Sequence, residues 1–297
     1  MVVGMGIPEP STPAGAAGLA ALLAAPQRAV VALDFDGTLA PIVADPDQAR
    51  AHPGAAPALA RLAPLIGGVV VVTGRPAALA VRYGGFAGVA GLEQLTVLGH
   101  YGAERWDARS GAVRAPALHP GIAALRGELP GALDAAGAWQ GTWIEDKGRA
   151  VAVHTRRAED PDAALAALEA PLRALASRHG LAVEPGRMVL ELRPPGMDKG
   201  VALADFLTEQ RAGSVLYAGD DLGDVAAFDA VDKLRAGGLP GVLAYSAPAT
   251  GEPPLAAIAD RADLTVPGPA GVVALLDALA DAISAGPAAA PGSAAAG

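Results

Sequence analysis

Two carboxylates stand two residues apart in Asp34-Phe35-Asp36-Gly37-Thr38-Leu39, directly after the apolar run Ala29–Leu33. When a buried strand stops between two such residues, they can take different roles. One reaches into the crevice as a nucleophile and the other sits beyond it as an acid/base. Gly37 permits the sharp backbone turn that must follow. A second acidic group, Gly219-Asp220-Asp221-Leu222-Gly223-Asp224, ends another apolar run. Three carboxylates this close repel one another and cost stability unless a cation gathers them. Hard oxygen donors with room for water and a phosphate oxygen select Mg²⁺ over softer metals. Thr73-Gly74-Arg75 follows four valines, and a hydroxyl with free N–H groups at a strand-to-helix turn can bind a phosphate oxygen. Lys199-Gly200 opens a helical stretch, where an ammonium beside a helix N-terminus suits an anion. Each feature also has an ordinary alternative: a strand-ending Asp, an acidic turn in solvent, a Thr-Gly loop, a solvated lysine.

The elements that would bring these residues together are short apolar runs cut off by Gly, Asp or Thr. They are Ala29–Leu33, Val69–Val72, Leu95–Leu98 and Val215–Ala218, with Val242–Ala244 and Leu264–Val266 after them. Continuous runs of this length fit strands buried on both faces of a parallel sheet. Between them, Pro57–Leu65 and Gly200–Gln210 read as helices. Strand alternating with helix predicts an α/β fold with a doubly wound parallel sheet, and such folds bind ligands outside the carboxyl ends of the strands. A different texture runs over 108–195. There Thr142–Lys147 and Ala150–His154 read as strands, and Pro161–Leu175 as a helix with Asp160 at its N-cap. Leu181–Glu184, a turn at Pro185-Gly186, and Met188–Arg193 follow as a second hairpin. The expectation is a ββαββ unit of α+β type inserted between the third and fourth core strands. The core is then 25–107 and 196–285, preceded by a leader and alanine-rich helix over 1–24 and followed by a disordered Ala/Gly/Pro tail over 286–297.

Composition narrows the classes. The 297 residues carry a formal net charge of −9, which argues against a nucleic-acid or anionic-membrane partner bound through a basic surface. The hydrophobic fraction of 52% provides ample apolar surface for a core, so the chain is not wholly disordered. Zero cysteines exclude disulfides, zinc-thiolate sites and thiol catalysis together. With neither a signal-peptide pattern nor an uninterrupted apolar span, a cytoplasmic location is expected.

Taken in order, Asp34–Leu39, Thr73, Lys199 and Gly219–Asp224 resemble the haloacid dehalogenase superfamily, and the inserted unit resembles its type 2 cap. A narrower resemblance, to the trehalose-6-phosphate phosphatases, rests on DFDGTLAPIVADPD at 34–47, VTGRP at 72–76 and LGHYGAERW at 98–106. IEDKGRAVAVHTR at 144–156 and VLELRPPGMDKG at 189–200 extend it into the cap. One departure is Val225-Ala226-Ala227 after Asp224, where that family usually continues with acidic residues. No synthase domain is expected beside the phosphatase.

The resemblance implies a phosphatase in which Asp34 forms an aspartyl-phosphate and Asp36 is the acid/base, both touching substrate. It implies Mg²⁺ held by Asp34, the Asp36 main-chain carbonyl and Asp220, with the phosphoryl oxygens held by Thr73, Gly74 and Lys199. Asp221 and Asp224 would orient Lys199 or metal-bound water. For the sugar, Glu145, Lys147, Glu191 and Arg193 on the cap could supply a fork of donors and acceptors; their alternative is solvation or pairing. His100 and Glu104 could help from the core, although a satisfied structural histidine is an equal reading of His100. Trp106, Trp139 and Trp143 could stack on a sugar, with core packing as the alternative. The expected partner is a small sugar phosphate, with no nucleic acid, membrane or obligate protein. Two other readings are a phosphatase for sucrose or mannosyl phosphate and a catalytically silent phosphosugar-binding regulator.

Overall fold

The computed structural model describes residues 6–43, 45–137, 140–186, 188–248 and 254–286. The tail from 287, the first leader residues and Trp139 lie outside the described residues. The first half forms α1 (Pro13–Ala24), β1 (Ala29–Leu33), α2 (Ala55–Leu62), β2 (Gly68–Val72), α3 (Ala77–Gly84) and β3 (Leu95–Gly99). A hairpin of β4 (Glu104–Asp107) and β5 (Ala112–Arg114) follows. Next come α4 (Pro120–Ala135), β6 (Trp143–Asp146), β7 (Val151–His154), α5 (Pro161–Arg178), β8 (Ala182–Gly186) and β9 (Val189–Arg193). The chain then returns through α6 (Lys199–Gln210), β10 (Ser214–Gly219), α7 (Val225–Ala236) and β11 (Gly241–Ala247). It ends in α8 (Ala256–Ala259), β12 (Leu264–Pro267) and α9 (Gly268–Ala285).

The large sheet runs β12-β11-β10-β1-β2-β3-β4-β5. Six strands are parallel, and β4 and β5 add antiparallel at one edge. Strand order reverses beside β1, since β2 and β3 lie to one side and β10 to β12 to the other. That reversal opens a crevice between the β1 and β10 ends. Both faces are covered, as the unbroken apolar strands require. Val31, Leu33, Val69 and Val71 pack with Leu22, Leu59 and Leu276 from α1, α2 and α9. Val30, Ala32, Val70 and Val72 pack with Leu203, Phe206 and Phe228 from α6 and α7. Helix α9 is long and apolar enough by composition to cross a bilayer. Its Val272, Leu275, Leu276 and Leu279 are instead buried in the core.

The cap has its own four-stranded antiparallel sheet, β6-β7-β9-β8. Val151, Val153, Leu190 and Leu192 bury one face against Ile122 and Leu125 of α4 and Leu168 and Leu172 of α5. Strand alternation puts Glu145, Ala152 and Glu191 together on the other face, in register across β6, β7 and β9. Three expectations need correction. The sheet is preceded by α4, so the unit is α-ββ-α-ββ; Gly121, Gly127, Pro130 and Gly131 hid that helix, which burial of Ile122, Leu125 and Leu129 secures. Residues 112–114 pair with β4 in the large sheet, so the core runs past 107. Pro185 and Gly186 pair with Leu190 and Val189 as strand, and the turn falls beyond them at Met188, with φ +58°.

Because the cap cluster shares no side chain with the core clusters, a cavity made in it should act locally. Leu172→Ala is expected to cost about 2–5 kcal/mol in the unit that contains it. Hydrogen exchange should quicken in α4, α5 and β6–β9, while β1, β2 and β10 keep their protection.

Candidate active site

Strand β1 carries the first carboxylates to the crevice. The Asp34 N–H donates to the Ala218 carbonyl at 2.9 Å, extending the pairing with β10 by one residue. Phe35 is fully buried in the layer of Leu33, which puts Asp34 and Asp36 on the opposite side of the chain. Gly37 then turns at φ +77°, and a Cβ there would stand 1.9 Å from Asp220 Oδ2. Only glycine meets both demands. Its carbonyl accepts from the Ser246 hydroxyl at 2.7 Å, which ties the turn to β11.

Lys199, the first residue of α6, is buried with its Nζ 2.6 Å from Asp34 Oδ1 and 2.8 Å from Asp224 Oδ1. Asp224 is fully buried. The Tyr217 hydroxyl donates to its Oδ1 at 2.6 Å, and the N–H groups of Asp220 and Asp221 donate to its Oδ2 at 2.9 and 3.2 Å. Its lone pairs are spent on orienting the lysine and the loop. Asp221 is exposed, its Oδ1 accepts from Gly223 N at 2.8 Å to cap its own turn, and its charge also acts on Lys199.

Oxygen atoms of Asp34, Asp220 and Asp224 lie within 4.8 Å of one another, a grouping that could hold a metal ion. With Asp224 occupied, Asp34 and Asp220 are the two carboxylates left to face an ion. Burial and the neighbouring carboxylates push both well above the ordinary aspartate range, against the pull of Lys199. Burial opposes the charge on Lys199 too, but Asp224 and Asp34 outweigh it and hold its pKa up. One ammonium thus faces three carboxylates. The donor set is all oxygen and short of positive charge, so a hard cation fits it.

Thr73 follows β2 and is buried, its N–H bonded to the Leu98 carbonyl at 3.0 Å. Its hydroxyl oxygen accepts from Arg75 N at 3.1 Å, leaving the hydroxyl proton to donate elsewhere. Gly74 has no room for a side chain, because a Cβ would be 2.6 Å from the Tyr101 hydroxyl. The loop after β3 is zipped to this one: Tyr101 N donates to Thr73 O and His100 N to Arg75 O, each at 2.9 Å. His100 and Tyr101 adopt φ +47° and +57°, a left-handed conformation uncommon outside glycine.

On the cap, Lys147 Nζ lies 2.5 Å from Glu191 Oε2. Burial works against this ammonium, but Glu191, Tyr101 and Glu145 together outweigh it and raise its pKa. Glu145 pairs with His154 at 2.7 Å. Burial opposes its charge as well, yet His154 and Lys147 hold it below the usual range. The Arg193 guanidinium sits 4.0 Å over the Tyr101 ring and bonds Glu184 at 3.0 Å. His100 is buried, which lowers its pKa, and neither ring nitrogen has a hydrogen-bond partner among the described residues, Glu104 Oε1 standing 3.9 Å from Nε2. Glu191 Oε1 and Arg193 Nη1 are likewise buried and unpartnered. Trp106 is core; Trp143 stacks on His154 with centroids 4.5 Å apart.

Several contributors went unread in the sequence. Arg75 grips Asp36 with two bonds of 2.7 Å, from Nε to Oδ2 and from Nη2 to Oδ1. It stood in the Thr-Gly-Arg motif itself, one residue past those assigned. Glu104, weighed only as a sugar contact, accepts from Ala77 N at 2.8 Å at the start of α3 and meets the cap's Arg149 at 3.2 Å. Tyr101 and Tyr217 offered no signal beyond the motifs they adjoin.

A family model described as Trehalose-phosphatase matches residues 32–252. A trehalose-phosphate phosphatase of Mycobacterium marinum is 38% identical over 213 residues, 69% of this chain and 52% of the relative. The chain thus spans about half the length of that relative. The C-terminal domain of a Candida albicans trehalose-6-phosphate phosphatase superposes with TM-score 0.68 at 21% identity, covering 93% of this chain and 99% of that one. A haloacid dehalogenase-like hydrolase from Bacteroides thetaiotaomicron aligns at TM-score 0.50 and 17% identity over 86% and 98% of the two chains. These likenesses show a shared fold.

Asp34 and Asp220 keep their protons to higher pH in the folded chain than in the unfolded one, where aspartate titrates near about 3.9. Without a cation, these two groups therefore lower stability as pH rises through their raised range. A divalent cation competes with those protons, its apparent affinity rising by roughly tenfold per pH unit for each proton displaced. The Tm gain from a fixed cation concentration is expected to be larger at pH 8 than at pH 5. Equal gains in thermal melts at both pH values would rule out that competition.

Proposed function

Because the chain belongs to the trehalose-phosphatase family, we propose that it hydrolyses trehalose 6-phosphate to trehalose and phosphate. The carrying observation is the Asp34 carboxylate at the end of the central strand, with a buried ammonium 2.6 Å away. Asp34 attacks phosphorus, and the resulting aspartyl-phosphate splits one difficult hydrolysis into two steps. Asp36 gives a proton to the departing sugar oxygen and then takes one from the attacking water. The Thr73 hydroxyl, the Gly74 N–H and Lys199 hold the phosphoryl oxygens and stabilise the transition-state charge. A divalent cation, which we assign as Mg²⁺, would be held by Asp34, Asp220 and the Asp36 main-chain carbonyl. When bound it supplies the charge neutralisation that a phosphate dianion needs beside these carboxylates.

The sugar belongs between core and cap. His100 Nδ1 and Nε2, Glu191 Oε1 and Arg193 Nη1 are buried without hydrogen-bond partners among the described residues, and sugar hydroxyls would satisfy them as both donors and acceptors. Lys147 and Glu145 add a donor and an acceptor from the same face of the cap sheet. We place the reaction in the cytoplasm, because a sugar phosphate dianion does not cross a bilayer unaided and is met where it is made.

Two outcomes test this reading. Phosphate release from trehalose 6-phosphate should need Mg²⁺ and vanish in Asp34→Asn, a variant that keeps shape but loses the nucleophile. Release undiminished after chelation, or by a folded Asp34→Asn preparation, contradicts it. Glu191→Gln should lower kcat/KM for trehalose 6-phosphate by about tenfold, from about 1–3 kcal/mol of lost pairing. Hydrolysis of p-nitrophenyl phosphate, which has no sugar, should stay within a fewfold of the unaltered chain.

A further inference from the structure

The Asp36 carboxylate has to serve twice with different partners, first a bulky sugar oxygen and then a water. Its side chain is about one-third exposed and stands beside a glycine turn, where a carboxylate would ordinarily rotate. Here both oxygens are taken, in the planar fork of two 2.7 Å bonds from Arg75. Arg75 is itself held from several sides. Its guanidinium lies 5.3 Å from the Tyr83 ring centroid and 5.8 Å from that of Phe35. Its N–H donates to Thr73 Oγ1 and its carbonyl accepts from His100 N. The cap carboxylate of Glu145 also contributes to the charge it feels.

We propose that Arg75 is the positioning residue for Asp36, fixing one carboxylate orientation that both half-reactions use. This rests on the phosphatase reading above. In the first half-reaction the Asp34–phosphorus bond forms, the phosphorus–sugar oxygen bond breaks, and the Asp36 proton passes to the leaving oxygen. In the second, the water oxygen bonds phosphorus, the Asp34–phosphorus bond breaks, and the water proton passes to Asp36. A misaimed Asp36 slows both steps for a sugar phosphate. For p-nitrophenyl phosphate it slows only the second, since nitrophenolate leaves without a proton.

The test compares the unaltered full chain with Arg75→Ala and Arg75→Lys in Mg²⁺. For Arg75→Ala, kcat on trehalose 6-phosphate should fall about 100-fold, the scale of positioned acid–base catalysis, with KM within about threefold. Rapid mixing with p-nitrophenyl phosphate should give a burst of about one nitrophenolate per enzyme, followed by slow turnover as the aspartyl-phosphate accumulates. Arg75→Lys, which keeps the charge and loses the fork, should recover part of kcat. A raised KM with unchanged kcat would overturn the proposal in favour of a substrate contact. Equal losses on both substrates without a burst would overturn it in favour of a structural role. An unaltered chain that turns over p-nitrophenyl phosphate but not trehalose 6-phosphate would overturn the substrate reading alone, because the burst comparison does not depend on the sugar.

Discussion

A single buried ammonium, shared between Asp34 and Asp224, joins the ends of β1 and β10 to the start of α6. Removing three such charges from water is costly, and the geometry recovers that cost only if every lone pair finds a donor. Asp224 meets the condition with Lys199, Tyr217 and two backbone N–H groups. Asp34 and Asp220 do not, and their raised pKa values express the shortfall. The crevice is thus built with an excess of negative charge at the place where the strand order reverses. A hard cation brought from outside the chain would offset that excess.

The second half of the site is divided between two bodies. Glu104 bonds the first N–H of α3 with one oxygen and Arg149 of the cap with the other. Arg149 also reaches the Pro116 carbonyl, in the segment that leaves the large sheet. The start of α3, the cap hairpin and the connection between bodies therefore share one carboxylate–guanidinium pair. Tyr101, under the Arg193 guanidinium, forms a second contact between them. Polar atoms left without hydrogen-bond partners at this junction belong to both bodies.

The core was legible because its strands are buried on both faces and read as unbroken Val, Leu and Ala runs. Ala29–Leu33 has the bounds expected for it, and the polar residues ending such runs do converge. Lys199 was legible at a helix start, and the resemblance implied its orientation by Asp224, but the bond to Asp34, 165 residues away, needed the fold. The hairpin of β4 and β5 was not legible, being short and charged. Helix α4 was obscured by its glycines and Pro130, where tertiary burial overrides propensity. Pairings such as Arg75 with Asp36 were out of reach for the same reason: residue type names a fork, and only geometry names what it grips. The unsatisfied His100 also needed the fold, since a histidine in sequence reads equally well as bonded or free.

Any open sheet has two edges at which a strand from another molecule could add. The β5 edge is three exposed residues long, flanked by an Arg105–Asp107–Arg114 charge cluster and followed by Pro116. The β12 edge ends in Pro267, which has no N–H to offer, and the chain turns at once into α9. Neither edge presents a long, flat ladder of free amides. The sheet that aims the crevice carboxylates can therefore be wide enough to span a two-sided core without inviting sheet-to-sheet growth, and the polar hairpin beside β3 acts as its selvedge.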